Sequence, residues 1–98
     1  MDKFFYYNNL FSVYRNLLTL KEQNIFSLYY EENLSLSEIA ENLEISRSAV
    51  GNTVKTVEKK LQNYEDLLHV WEKNEILKDC LSLVEEQKIL ERIQKVLD

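Results

Sequence analysis

Apolar residues recur every three or four positions along most of the chain, which is the spacing of one face of an α-helix. The first stripe predicts a helix whose apolar face comprises Phe4, Tyr7, Leu10, Phe11, Tyr14, Leu17 and Leu18. A second predicted helix ends near Glu32, and its inward residues are Leu20, Ile25, Leu28 and Tyr29. Asn33 follows this helix, and asparagine readily adopts the left-handed conformation that ends one.

Residues that cap helix N-termini stand at the starts of the later segments. The spacing of a capping box, in which a hydroxyl and a carboxylate satisfy backbone donors reciprocally, occurs three times. The pairs are Thr19 with Glu22, Ser35 with Glu38, and Ser82 with Glu85. The Ser35 box predicts a short helix that ends near Leu43, and Ser46 then caps the next helix.

The stripe that follows Ser46 is much longer than the others. Its members are Val50, Val54, Val57, Leu61, Tyr64, Leu68 and Trp71. They predict one long helix with a bend near Asn63. A last apolar face consists of Ile89, Leu90, Ile93 and Leu97. The whole pattern predicts five or six helices in one all-α domain.

The composition removes several other classes of protein. The chain contains one glycine and no proline, so neither the tight turns of a β-sandwich nor a glycine-rich phosphate loop is expected. No apolar run is long enough to cross a bilayer, and the first residues do not form the apolar stretch of a signal peptide. Cys80 is the only cysteine, which fits a reducing compartment, so the expected location is the cytoplasm.

No residues combine into a recognisable catalytic or metal site, so we expect neither an enzyme nor a cofactor. His69 has no histidine or cysteine partner at a metal-binding spacing and is interpreted as a surface or interface side chain. Cys80 is interpreted as a packed thiol. Most of the aromatic residues lie on the helical stripes and are expected to fill the core, whereas Tyr6 and Tyr30 are out of phase.

Charge is distributed unevenly along this chain, whose net charge is −5. Residues 1–45 and 65–98 each carry net −4, whereas residues 46–64 carry net +3. The charged residues of the positive segment are Arg47, Lys55, Lys59 and Lys60 against Glu58. A local positive field favours a nucleic-acid partner even in an acidic protein.

The same segment has the residue types that a helix-turn-helix requires, over residues 35–60. Ala40 is the small residue expected where the two helix axes approach, and Ile45 is the apolar residue of the turn. Ser46 caps the second helix. The residues expected to face the core are Leu36, Ile39, Leu43, Val50 and Val54. This pattern is typical of a motif whose second helix enters the major groove of DNA.

Two positions depart from that pattern. Glu44 occupies the turn position usually given to glycine, and a left-handed backbone at a non-glycine residue costs about 1 kcal/mol. We therefore expect the turn to use a different geometry. Gly51 lies inside the recognition helix, where it costs up to about 1 kcal/mol relative to alanine. Its expected benefit is a close approach to a backbone or a base.

Residues 17–61, LLTLKEQNIFSLYYEENLSLSEIAENLEISRSAVGNTVKTVEKKL, are similar to the region-4 DNA-binding domain of bacterial sigma factors. With the aromatic N-terminal helix and the tail NYEDLLHVWEK, the chain resembles the small bacterial YlxM proteins over nearly its whole length. The resemblance implies an all-α bundle with a winged-helix-like or sigma-region-4-like helix-turn-helix. It also implies a link to the signal recognition particle, whose protein component is encoded beside such proteins.

The candidate nucleic-acid-binding residues lie on the exposed face of the recognition helix. They are Ser46, Arg47, Ser48, Gly51, Asn52, Lys55 and Lys59. Arg47 suits guanine and Asn52 suits adenine, whereas Ser48 and Lys55 suit phosphates. Because these residues include only three cations, we expect one copy to bind nucleic acid weakly. Specific affinity then needs a dimer or a partner.

Two functions remain open at this point. The first is a regulator that binds double-stranded DNA. The alternative is an accessory protein of the signal recognition particle that contacts its RNA or its GTPase, because phosphate attraction alone does not distinguish these partners. RNA duplexes have a deep, narrow major groove that a recognition helix enters poorly.

The C-terminal part of the chain carries more apolar residues than one DNA-binding domain needs. We predict a helical domain at residues 1–64 and a helical extension at residues 65–98 that dimerises or docks a partner. The expected contact residues are Tyr64, Leu68 and Trp71. An apolar stripe of this size is rarely exposed on a monomer, which favours a homodimer, with folding back onto the first helix as the alternative.

Overall fold

The computed structural model describes residues 2–83 and 87–97, and within these ranges the chain forms six α-helices and no strand. The helices are α1 (Lys3–Tyr14), α2 (Leu20–Tyr30), α3 (Leu36–Leu43), α4 (Arg47–Leu68), α5 (Val70–Leu81) and α6 (Gln87–Leu97). A 3₁₀ turn at Arg15–Leu17 joins α1 to α2. The predicted all-α class is confirmed, and the described residues contain no strands that would form a wing.

Both complete capping boxes predicted within the described residues are present. The Thr19 hydroxyl accepts from the Glu22 amide at 3.1 Å, and the Glu22 carboxylate accepts from the Thr19 amide at 2.9 Å. Ser35 and Glu38 form the same pair of bonds at the start of α3. These reciprocal bonds satisfy amides that the helix leaves unpaired, so the two helix starts are determined locally.

Three other predicted helix ends have different outcomes. Ser46 caps α4 as predicted, because its hydroxyl accepts from the Ala49 amide at 3.0 Å. Asn33 adopts the left-handed conformation, with φ 58°. The capping box of Ser82 with Glu85 extends outside the described residues, and Ser82 itself ends α5, where its hydroxyl donates to the Asp79 carbonyl.

The core forms where α4 packs against α1, α2 and α3. Its buried side chains are Leu10, Phe11, Tyr14, Leu18, Ile25, Phe26, Tyr30, Ile39, Val50, Val54, Val57 and Leu61. The predicted inward face of α2 is partly wrong, because Leu20 is 83% exposed. Phe26 and Tyr30 take the central positions instead, with their rings stacked 4.3 Å apart. Phe26 contacts Phe11 of α1 with ring centroids 5.0 Å apart, and the Tyr30 hydroxyl donates to Glu58 of α4, so these two aromatic residues face the core where Leu20 does not.

The turn between α3 and α4 uses the left-handed geometry although it lacks a glycine. Glu44 has φ 56° and ψ 43°, so the prediction of a different turn geometry is wrong. The Ile45 amide donates to the Ala40 carbonyl at 3.1 Å, which closes the end of α3. Because the Glu44 side chain is exposed, the cost is confined to the backbone, at about 1 kcal/mol.

The long stripe is divided between two helices, and the predicted bend near Asn63 is wrong. Helix α4 ends at Leu68, and His69 adopts the left-handed conformation with φ 54°. Glu65, only 6% exposed, lies inside this junction. Its carboxylate accepts from the Tyr14 hydroxyl at 2.6 Å and from the amides of Trp71 and Glu72 at 3.1 and 3.0 Å.

Glu65 is therefore a side-chain cap for α5 that comes from the preceding helix. A carboxylate at a helix N-terminus is favoured by the exposed amides and by the helix dipole. The Tyr14 hydroxyl completes the junction by accepting from the Val70 amide at 3.1 Å. Burial and the hydrogen bond to Glu65 raise the pKa of Tyr14 to about 12, so this hydroxyl remains a donor at neutral pH.

The junction places part of the predicted contact surface inside the chain itself. Trp71 packs edge-on against Tyr6 with ring centroids 5.6 Å apart, and Tyr64 lies against Tyr14. Helix α1 thus covers more of the stripe than the sequence indicated. Leu68 differs from these two residues, because it is 47% exposed.

Candidate nucleic-acid interface

The recognition helix α4 separates its polar and apolar residues onto opposite sides. Val50, Val54 and Val57 are buried against the rest of the bundle. Six of the seven predicted binding residues are exposed, and Gly51 is half-buried. This separation follows from the spacing of the sequence, since residues four apart lie on the same side of a helix.

The structure brings five of the predicted residues together in one shallow groove. Its lining residues are Leu36, Arg47, Ser48, Gly51, Asn52 and Lys55. Leu36 comes from the first turn of α3, so the groove lies between the two helices of the motif. Ser46 lies outside it and its hydroxyl is occupied in capping, while Lys59 lies one turn further along α4.

The positive charge of this face is not neutralised by the protein itself. Among the described residues, Arg47, Lys55 and Lys59 form no ion pair. Their charges remain available to an external anion, and cations on one helix face act together on a phosphate backbone.

The fourth cation of the positive segment is used internally. Lys60 forms an ion pair with Glu22 of α2 at 2.7 Å. Burial alone would raise the pKa of Glu22, but hydrogen bonds from Lys60 and Thr19 outweigh it and lower this pKa. The ion pair also raises the pKa of Lys60. Lys60 therefore ties α4 to α2 and contributes less to the binding face than its charge suggests.

Glu58, the acid of the positive segment, is engaged by residues of α1 and α2. It accepts a short hydrogen bond from the Tyr30 hydroxyl and lies 3.4 Å from the Lys3 ammonium. Burial and this hydrogen bond raise the pKa of Tyr30. Tyr30, which was out of phase in the sequence, thus binds the only acidic side chain of the positive segment.

A second groove beside the first was missed in the sequence. Its lining residues are Thr19, Lys21, Glu22, Asn52, Thr53 and Thr56. Lys21 is exposed there, next to the polar side of α4, and adds a cation to the candidate interface. The sequence signal was weak because Lys21 precedes the positive segment and comes beside it only through the packing of α2 on α4.

The residues of the α4–α5 junction also include a possible ligand set. Oxygen and nitrogen atoms of Glu65, His69 and Glu72 lie within 4.8 Å of one another. Both Glu65 oxygens already accept hydrogen bonds from the protein, and the His69 ring contacts Glu72 at 3.1 Å. The arrangement is explained by capping.

His69 lies on the surface as predicted, whereas the expectation of a packed Cys80 is wrong, because this thiol is exposed.

Helices α3 and α4, the left-handed turn between them and the polar groove on their outer side define a helix-turn-helix protein. The family model described as "UPF0122: Putative helix-turn-helix protein, YlxM / p13 like" matches residues 1–98. The chain belongs to this family. Within the parts of the chain that the structure describes, no helix is long and apolar enough to cross a membrane.

Similar proteins occur in several bacteria and match over most of their length. The UPF0122 protein of Halalkalibacterium halodurans is 39% identical over 102 residues, which cover 100% of this chain and 94% of the relative. The UPF0122 protein of Oceanobacillus iheyensis is 37% identical over 102 residues, covering 100% and 97%. A UPF0122 protein of Lactococcus lactis is 37% identical over 94 residues, covering 91% and 85%.

Proposed function

We propose that this protein binds double-stranded DNA through α4 and regulates transcription in the cytoplasm without catalysing a reaction. The observation that carries the proposal is the groove between α3 and α4, in which Arg47 and Lys55 have no acidic partner among the described residues. A recognition helix with cations and amides on one exposed face suits the width of the DNA major groove.

The residues of the interface have different roles in this proposal. Arg47 and Asn52 read base edges: the Arg47 guanidinium can donate twice to guanine, and the Asn52 amide can donate to and accept from adenine. Ser48, Lys55 and Lys59 contact phosphates and fix the position of α4. Lys21 adds a phosphate contact from α2, beside Asn52 in the second groove.

We further propose that the protein acts as a homodimer. One copy offers few cations, and counterion release from so few contacts gives weak binding. The last residue of α4 and helices α5 and α6 expose apolar side chains that a second copy would cover, and these are Leu68, Ile76, Leu77, Ile89 and Val96. In this proposal residues 65–98 form the dimerising extension of the DNA-binding domain, and two recognition helices face neighbouring half-sites.

The experiment selects duplexes from a random-sequence DNA library with the full-length protein at low salt, followed by affinity measurements on the enriched duplex. Arg47→Ala is expected to lower affinity by roughly 1–3 kcal/mol and to relax specificity at one position. Lys78→Ala, an exposed cation on α5, is the matched control and should leave affinity unchanged. Failure to enrich any sequence, or equal effects of both variants, would contradict the proposal.

The homodimer has a separate test. Analytical ultracentrifugation is expected to show a wild-type dimer at micromolar concentration. Leu68→Ala combined with Leu77→Ala should give monomers and lower DNA affinity, because linked recognition helices bind more tightly than separate ones. A wild-type monomer at those concentrations would contradict the homodimer and leave the DNA-binding proposal to the selection experiment.

The second candidate is an accessory role in the signal recognition particle pathway. It is favoured by the exposed apolar residues of α5 and α6, which would suit a protein partner such as the particle's GTPase as well as a second copy. A competition between the enriched duplex and the particle's RNA and GTPase separates the two functions. Preferential binding to either component of the particle would favour this candidate.

A further inference from the structure

Gly51 stands at the centre of the groove between α3 and α4, and the fold does not require a glycine there. Its backbone φ is not positive, so alanine could adopt the same conformation. A Cβ atom built on Gly51 would meet only Leu36 Cδ1, at 3.7 Å, which is an ordinary van der Waals contact. The missing side chain therefore leaves a notch about the size of one methyl group, which we call the Gly51 notch.

The surroundings of the Gly51 notch differ from those of a phosphate site. The atom nearest to the notch is Leu36 Cδ1, and the groove around it is also lined by Arg47, Ser48, Asn52 and Lys55. Arg47 precedes it by one turn and Lys55 follows it by one turn, while Asn52 is the next residue along the helix. A phosphate oxygen seated against Leu36 would gain no hydrogen-bond donor from that side chain, whereas a methyl group would gain apolar contact.

We propose that the Gly51 notch receives the 5-methyl group of a thymine in the DNA major groove. This inference rests on the proposed DNA binding and adds a base preference to it. Thymine is the only unmodified base that presents a methyl group in the major groove. The neighbouring Asn52 suits adenine, so the notch and the amide together favour an A·T-containing step. Uracil lacks this methyl group, so the notch also favours DNA over RNA.

The test begins with the duplex enriched from the random-sequence library by the full-length protein. Each thymine of this duplex is replaced singly by deoxyuridine, which removes one methyl group and keeps the base pair. At one position the wild-type affinity is expected to fall about three- to fivefold, the effect of losing one buried methyl-sized group. Gly51→Ala fills the notch, so this variant should bind both duplexes with the same, lower affinity.

Lys59→Ala is the matched control on the same helix. It should weaken binding to the thymine and deoxyuridine duplexes equally and leave their ratio at the wild-type value. Gly51→Ala is expected to keep or raise the thermal midpoint, since alanine favours the helix. Its binding defect therefore cannot be attributed to unfolding.

The possible outcomes separate this inference from the proposed function. An enriched duplex whose affinity is insensitive to deoxyuridine at every position would overturn the thymine notch and leave DNA binding intact. The same holds if Gly51→Ala keeps the wild-type ratio between the two duplexes. Failure to enrich any duplex would overturn both.

Discussion

Helices α2 to α4 and helices α5 and α6 differ in how they use their apolar residues. Helices α2, α3 and α4 each place apolar side chains in the common core, such as Phe26, Ile39 and Val57. Among the described residues of α5 and α6, none is buried. Helices α2 to α4 thus share a buried core, whereas α5 and α6 leave apolar side chains such as Ile76, Leu77 and Val96 exposed.

The attachment of the C-terminal helices is concentrated at the α4–α5 junction. Glu65 and Tyr14 satisfy the first amides of α5, and Trp71 packs against the core beside them. At the other end, Leu97 of α6 lines the cleft between α1 and α5. The described contacts between the C-terminal helices and the rest of the chain therefore combine these hydrogen bonds with the packing of Trp71.

The largest expected effect comes from breaking this junction. Glu65→Ala removes a buried acceptor and leaves three donors without their partner, which should lower the free energy of unfolding by about 2–4 kcal/mol. Urea unfolding followed by circular dichroism measures the loss. Trp71 is the only tryptophan, so its fluorescence reports the junction separately. Asp66→Ala is the control, and an equal effect of both variants would contradict the role of Glu65.

A second variant tests the helix-turn-helix side of the comparison. Ala40 is half-buried beside the turn, and its carbonyl accepts from Ile45. Ala40→Leu should overpack the crossing of α3 and α4 and lower the free energy of unfolding by about 1–3 kcal/mol. Trp71 fluorescence of the folded variant should stay at the wild-type value, because the junction lies elsewhere. An unchanged thermal midpoint would show that Ala40 is not at the crossing.

The two regions also differ in how far the sequence predicted them. The caps at Thr19, Ser35 and Ser46 were predictable because each bond joins residues three apart. The end of α4 at His69 was not, since apolar spacing continues to Trp71. The break depends on Tyr14, which lies 51 residues before Glu65 in the chain.

The sequence also predicted only part of the candidate site. The exposed face of α4 followed from helical spacing, which also predicted that Arg47 and Lys55 share one side. The pairing of Lys60 with Glu22 joins residues 38 apart and could not be read from local charge. The left-handed turn at Glu44 was also missed, because the bonds that close α3 offset its backbone cost.

Neighbouring lysines of α4 provide a sharper test of the proposed DNA interface. Lys59 forms no ion pair with any described residue, whereas Lys60 forms an ion pair with Glu22. Lys59→Ala should reduce the dependence of log affinity on log salt by about one unit, as expected for one lost phosphate contact. Lys60→Ala should reduce this salt dependence by a smaller amount. Equal slopes for the two variants would show that the ion pair opens on binding and that Lys60 belongs to the interface.

The smallest effect concerns the same ion pair and its dependence on pH. Because the pKa of folded Glu22 is lowered, its carboxylate stabilises the folded state above the pKa of the unfolded chain. This contribution is lost as the pH falls through the lowered pKa. The raised pKa of Lys60 acts at the alkaline end, where stability is lost as the pH rises through that pKa.

Glu22→Gln should therefore unfold more easily than wild type near neutral pH and lose stability less steeply on acidification. Thermal midpoints measured from neutral to acidic pH test this, with Glu41→Gln, an exposed carboxylate on α3, as the control. If Glu22→Gln and wild type lose stability in parallel, the pair does not tie α2 to α4 in solution, and Lys60 remains free to join Arg47 and Lys55 on the binding face.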